Sequence, residues 1–102
     1  MRSVYKTKPG DTLWKISIKN NIEFEDIEKD NDIKCLKLIK GQEILLPFVK
    51  NKKVELCHYV TLEEETLNDI TEKSETDFDE IAYFNNISHL ILAKDQIINI
   101  GT

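Results

Sequence analysis

Nineteen carboxylates, two histidines and two cysteines are the groups in this 102-residue chain that could do chemistry. Their spacing assembles none of the usual devices. His58 lies next to Cys57 in a segment of strand type, where neighbouring side chains point to opposite faces. His89 lies in a loop, and neither histidine has a nucleophile at a recognisable offset. Cys35 and Cys57 fit no CxxC metal site and are expected as free thiols. Carboxylate pairs are numerous, but a chain this acidic contains them by chance, and glycoside hydrolysis needs two acids across a deep cleft. Glu63-Glu64-Glu65 lacks the alternating ligand spacing of a calcium loop and reads as a solvated turn. The expectation is a non-catalytic protein with no cofactor and no metal.

The informative pattern is a repeat. Residues 5–47 align with residues 59–101 at an offset of 54 without a gap, and fifteen of the forty-three pairs are identical. Nine of the fifteen are apolar or aromatic, so the repeat conserves mainly a folding pattern. It does not conserve the first turn. Pro9-Gly10-Asp11 faces Glu63-Glu64-Glu65 in the alignment. Trp14 and Ile18 face Asn68 and Glu72, so this i, i+4 apolar pair is not required by the fold. Packing into the first unit's core is the expectation for the pair, with an inter-unit or partner surface as the alternative.

The elements that must carry these residues follow from local signals. Val4 to Lys8 reads as a strand stopped by Pro9-Gly10. Thr12 caps a helix bearing Leu13 and Ile16 on one face, and Asn20-Asn21 ends it. A second helix runs from about Phe24 to Asp30. Its twin at 78–84 has Asp77 and Glu80 at capping-box spacing. After a loop, Lys40-Gly41-Gln42 turns into a strand that is expected to stop at Pro47. The order is strand, helix, helix, strand, and the two strands of one unit are expected to pair antiparallel with both helices on one face. The fold class is α+β: two tandem βααβ units, at 1–47 and 57–102, with a short join at 48–56. Asn51-Lys52-Lys53 is the expected turn in that join. Its Val49, Val54 and Leu56, and its lack of Gly and Pro, are unlike a flexible linker. The units are therefore expected to touch.

Residues 1–47 carry a charge of +1 and residues 48–102 carry −6, giving −5 overall. The acidic second half argues against nucleic acid and against an anionic membrane surface. No stretch is long and apolar enough to span a bilayer. The N-terminus lacks the apolar core of a signal peptide, so cytoplasmic synthesis is the expectation.

The first unit closely resembles a lysin motif (LysM) domain. The carrying residues are Tyr5, the run Pro9-Gly10-Asp11-Thr12-Leu13-Trp14-Lys15-Ile16, then Ile27, Asn31 and Ile33, then Ile39-Lys40-Gly41-Gln42-Glu43-Ile44 and Pro47. The second unit resembles a degenerate LysM domain. It keeps Tyr59, Thr66-Leu67, Ile70, Asn85, Ile87, Gln96 and Ile98, but lacks the Gly-Asp turn and has Asp95 where the family has Gly. The resemblance implies a βααβ fold that binds N-acetylglucosamine polymers, meaning peptidoglycan or chitin. It also implies a shallow groove between Gly10, Asp11, Thr12 and Leu13 on one side and Asp30, Asn31, Asp32 and Ile33 on the other. Family members without signal peptides include proteins laid down around bacterial spores and components of phage tails. An assembly role through protein contacts on a spore or phage particle is the alternative expectation.

Overall fold

The computed structural model describes residues 3–100. Its architecture is mixed α+β, with four helices and two small antiparallel sheets. The first half runs β1 (Val4–Lys6), α1 (Leu13–Lys19), α2 (Phe24–Asp30), a 3-10 turn (Ile33–Cys35) and β2 (Glu43–Lys50). The second half runs β3 (Lys53–Val60), α3 (Leu67–Ser74), α4 (Phe78–Phe84), a 3-10 turn (Ile87–His89) and β4 (Ile97–Asn99). Helix starts follow their caps. The hydroxyls of Thr12 and Thr66 accept hydrogen bonds from Lys15 N and Asp69 N, both at 3.1 Å. The capping box expected at Asp77 and Glu80 is found instead at Thr66 and Asp69, while Asp77 makes no side-chain cap bond.

The strand pairing differs from the expectation. β1 pairs with β4, and β2 pairs with β3, both antiparallel. Each sequence repeat therefore gives its second strand to the other, and neither repeat pairs its own two strands. The physical reason lies in the connection. Asn51 and Lys52 both adopt positive φ (51° and 63°), the signature of a tight two-residue hairpin turn. That turn joins β2 directly to β3. The ladder then runs from Lys50↔Lys53 back to Glu43↔Val60, so residues 48–56, expected as a join, form the outer part of a hairpin.

Pro47 does not stop β2, contrary to expectation. Counting from the tight turn, Lys50↔Lys53 is a hydrogen-bonded pair and Pro47↔Leu56 falls in a non-hydrogen-bonded one. The proline nitrogen then faces the open edge, where no ladder bond is lost.

The exchange is held by matched polar contacts. The Asn31 amide bonds the backbone N–H and C=O of Asn99, and the Asn85 amide bonds those of Leu45, all at 2.8 Å. The Gln42 side chain bonds both backbone groups of Ile91, and that of Gln96 bonds both of Lys37. Thr7 and Thr61 hydroxyls donate to Ala93 O and Ile39 O. Every one of these bonds joins one repeat to the other. The apolar core runs through both, with Leu13, Ile16, Ile27 and Ile44 packed in one cluster with Leu67, Ile70, Ile81 and Ile98.

Candidate functional site

The first turn is built from Asp11 outward. Its Oδ2 accepts from the Tyr5 hydroxyl and from Lys8 N, both at 2.8 Å. These two bonds close the turn, which Gly10 enters at φ +88° with nothing within 4 Å of where a Cβ would stand. The Gly10 carbonyl accepts from Lys15 Nζ at 3.2 Å. Thr12 and Leu13 are buried. Thr12 works as the helix cap and Leu13 as core, which leaves Gly10 and Asp11 as the accessible part of this segment.

Strand exchange decides what faces that turn. Asp11 O accepts from Leu92 N at 2.9 Å, and Thr12 forms a β-bridge with Ile91. α1 packs on the 3-10 turn Ile87–His89, and the Trp14 ring stacks on His89 with centroids 5.1 Å apart. The segment that pairs directly with Asp11 and Thr12 is therefore Ile91–Leu92 of the second repeat, with His89 beside Trp14. The other four expected site residues sit at the end of α2. Asp30 O accepts from Asn99 Nδ2. Asn31 uses both amide protons, on Ile27 O and Asn99 O, to pin α2 to β4. Asp32 Oδ2 accepts from the exposed Cys35 thiol at 3.3 Å, a bond that pushes the thiol pKa up. Ile33 packs against the core. None of the four bonds Gly10–Leu13.

The second turn repeats the frame with other atoms. Glu65 Oε1 and Oε2 accept from the Tyr59 hydroxyl at 2.8 and 2.6 Å, and Oε1 accepts from Leu62 N at 2.9 Å. Lys73 Nζ adds an ion pair at 2.7 Å. Glu65 is only 5% exposed, so the expectation of three solvated glutamates is corrected for this residue: it is the functional twin of Asp11. Burial alone would raise its carboxyl pKa, but Lys73, Tyr59 and Leu62 N together hold it below the ordinary range. The same contacts raise Lys73, through the Glu65 bond first. Burial, then the bond to Glu65, raises Tyr59. Glu64 takes the place of Gly10 at φ +61°. A shallow depression of about 540 Å³ beside this turn is lined by Leu62, Glu63, Glu64, Glu65, Asp69, Glu72 and Lys73.

Trp14 and Ile18 are not core. They are 45% and 58% exposed and line a depression with Ile22 and Phe24. The sequence did not place His89, Ile91 and Leu92 beside the first turn. Nothing in their residue types marks them, because they face the first turn only through the strand exchange.

The LysM domain model matches residues 5–47. The cell wall-binding protein YocH of Bacillus subtilis (strain 168) is 29% identical over 79 residues, covering 78% of this chain and 27% of that protein. The chain thus matches little more than a quarter of that relative's length. No solved structure matches. The four helices and two small antiparallel sheets are consistent with the LysM fold.

Proposed function

We propose that this chain is a non-catalytic binding module for N-acetylglucosamine-containing glycan, peptidoglycan first and chitin oligomers by the same chemistry. The observation that carries this reading is the LysM match over residues 5–47, joined to the likeness to a protein named for cell-wall binding. The site we assign is the turn Gly10-Asp11-Thr12-Leu13. We take its opposite wall to be His89–Leu92, because the bonds from Asp11 and Thr12 run there. An N-acetyl group needs an amide donor, an acceptor and a small apolar contact, and the open turn at Gly10 is where backbone groups can meet it. The open space over Gly10 supports close approach of a sugar. The acidic turn at Glu63–Glu65 disfavours the carboxylates of peptidoglycan stems by like-charge repulsion.

Co-sedimentation with purified peptidoglycan tests the reading. The wild-type chain is expected in the pellet and Gly10→Glu in the supernatant. A wild-type chain that stays in solution refutes the glycan role. It would favour the second reading, assembly on a spore or phage particle through protein contacts, which is supported by exposed Phe48, Val49, Val54 and Leu56 on the hairpin.

A further inference from the structure

The fold builds one hollow twice, and only one copy is apolar. Where α1 ends and α2 begins lies a hollow of about 430 Å³ bounded by Trp14, Ile18, Ile22 and Phe24. At the same place in the second half, between α3 and α4, lies a hollow of about 420 Å³. The offset of 54 that relates the repeats carries the first lining onto Asn68, Glu72, Thr76 and Phe78 of the second. Phe24 and Phe78 correspond, so that position belongs to the fold. The other three positions are apolar in one hollow and polar in the other. Trp14 and Ile18 are exposed, so core packing does not account for them.

The neighbouring turn identifies the occupant. The apolar hollow belongs to the repeat with the open Gly10 turn, and the polar hollow to the repeat with Glu64 in that place. Trp14 joins the two features. It is the second residue of α1, and side chains on a helix lean toward the N-terminus, here toward Gly10–Thr12. Ile18 follows one helical turn further along the same side. The ring that meets Trp14 is set by the same turn. Asp11 and Thr12 pair with Leu92 and Ile91, and continuing that antiparallel count brings residue 14 against residue 89. The Trp14 and His89 rings stack there at 25° between planes. The twin positions hold Asn68 and Cys35, which have no rings to stack. The aromatic surface thus occurs only beside the open turn and is continuous with it. The rim of the hollow is polar, with the Asn21 amide and the carboxylates of Glu23 and Glu25. Among the described residues neither carboxylate is in an ion pair.

We propose that this hollow is a second sugar subsite, in which Trp14 receives a neutral N-acetylglucosamine ring adjacent to the one held at the Gly10 turn. The proposal rests on the glycan reading above and extends it along α1. A pyranose ring presents C–H groups on its faces and hydroxyls around its edge. The electron-rich face of the indole attracts the C–H groups, and Ile18 and Ile22 continue the apolar floor. Asn21, Glu23 and Glu25 accept hydrogen bonds from the edge hydroxyls. A muramic acid ring carries a carboxylate, which Glu23 and Glu25 repel, so the neutral sugar of the alternating polymer is the one that fits here. Affinity then grows with oligomer length through Trp14, and the polar hollow of the second repeat adds nothing to it.

Titration of the full chain with a chitin dimer and a chitin pentamer tests this. Trp14 is the only tryptophan in the chain, so its fluorescence reports the subsite, while the amide shifts of Gly10 and Asp11 report the turn. The pentamer is expected to move both signals with one midpoint and to bind more tightly than the dimer. Trp14→Asn and Ile18→Glu install the residues that the second repeat carries in its own hollow. Each, confirmed folded by circular dichroism, is expected to weaken pentamer binding about three- to tenfold, read at the turn amides, and dimer binding much less. Trp14→Phe is expected to keep most of the pentamer affinity. Shifts at the turn with unchanged Trp14 fluorescence, and wild-type pentamer affinity in Trp14→Asn, overturn the subsite and leave the glycan reading standing. Equal losses for dimer and pentamer also overturn it, since Trp14 would then act through the turn alone. No response of either signal to either oligomer overturns the glycan reading and the subsite together.

Discussion

The turn after β1 and the turn after β3 share one frame and present opposite surfaces. In both, a tyrosine on the strand and a backbone N–H are gathered by one carboxylate, from Asp11 in the first and Glu65 in the second. The longer glutamate side chain also reaches Lys73, whereas Lys19 reaches only the Tyr5 hydroxyl. Both turns pass through a left-handed residue, Gly10 or Glu64. The backbone path does not need the glycine. What the glycine contributes is the open space above it and a neutral edge. The lesson is that a change of turn residues between two similar segments can keep the frame and alter only the surface.

That comparison can be broken first at Gly10. Gly10→Glu gives the first turn the residue of the second. The twin shows that glutamate adopts this conformation, so the fold is expected to survive at a cost of about 1 kcal/mol for left-handed backbone. Peptidoglycan binding is expected to fall more than tenfold, read by co-sedimentation. Glu64→Gly is expected to leave binding unchanged, because the flanking Glu63, Asp69 and Glu72 keep that surface acidic.

The frame itself is tested next. Glu65→Ala removes a buried acceptor from Tyr59, Leu62 N and Lys73, and is expected to cost about 2–3 kcal/mol. Asp11→Ala, at a more open site with two donors, is expected to cost about 1–2 kcal/mol. Urea titration of both variants compares the turns directly. Equal losses would mean that burial of the second carboxylate adds nothing.

The acid limb of stability sharpens the difference further. Glu65 has a folded pKa below its unfolded value, so its contribution is present above the ordinary carboxylate range. It is lost as pH falls below that range and through the lower folded value. Lys73 is raised, so its contribution is present below the ordinary lysine value and is lost only on the alkaline side, above about pH 10. Glu65→Gln is therefore expected to lose less stability than wild type between neutral and acid pH, measured by thermal melts across that range. An acid limb of unchanged slope would assign it to other carboxylates.

The smallest effect concerns the left-handed acids. Glu64 and Asp95, at φ +61° and +67°, stand where the first repeat has Gly10 and Gly41. Glu64→Gly and Asp95→Gly are each expected to stabilise the chain by about 0.5–1 kcal/mol. Relief of the left-handed penalty outweighs the entropy of an added glycine. A drop in melting temperature would show that the side-chain contacts of Glu64 and Asp95 with Lys37 and Lys6 matter more than the backbone.

The helices, the cap at Thr12, the core face of Leu13 and Ile16 and a turn within Asn51-Lys52-Lys53 were legible in residue type and spacing, whereas the cap at Thr66 was not. Each legible feature depends on neighbours within a few positions. The apolar composition of 48–56 already spoke against a linker, and it is that of hairpin strands. The partner of each strand was not legible. β1 meets the same tyrosine-to-isoleucine register with Ile98 as it would with Ile44, because the repeat makes the two isoleucines equivalent. A repeated sequence cannot distinguish pairing within a unit from exchange between units. The reach of the hairpin turn decides it. The candidate site inherits that ambiguity: Gly10–Leu13 could be read locally, while His89–Leu92 enter only through the exchange.

The central claim is that glycan is held by Gly10–Leu13 of one repeat and His89–Leu92 of the other. Titrating the isotope-labelled full chain with a chitin oligomer, and following backbone amide shifts, tests it most directly. The expected result is a single set of shifts at residues 10–13 and 89–92, with the Trp14 indole moving alongside. Shifts confined to residues 64–67 and 35–38, the corresponding surface of the acidic turn, would contradict it, and so would no shift anywhere.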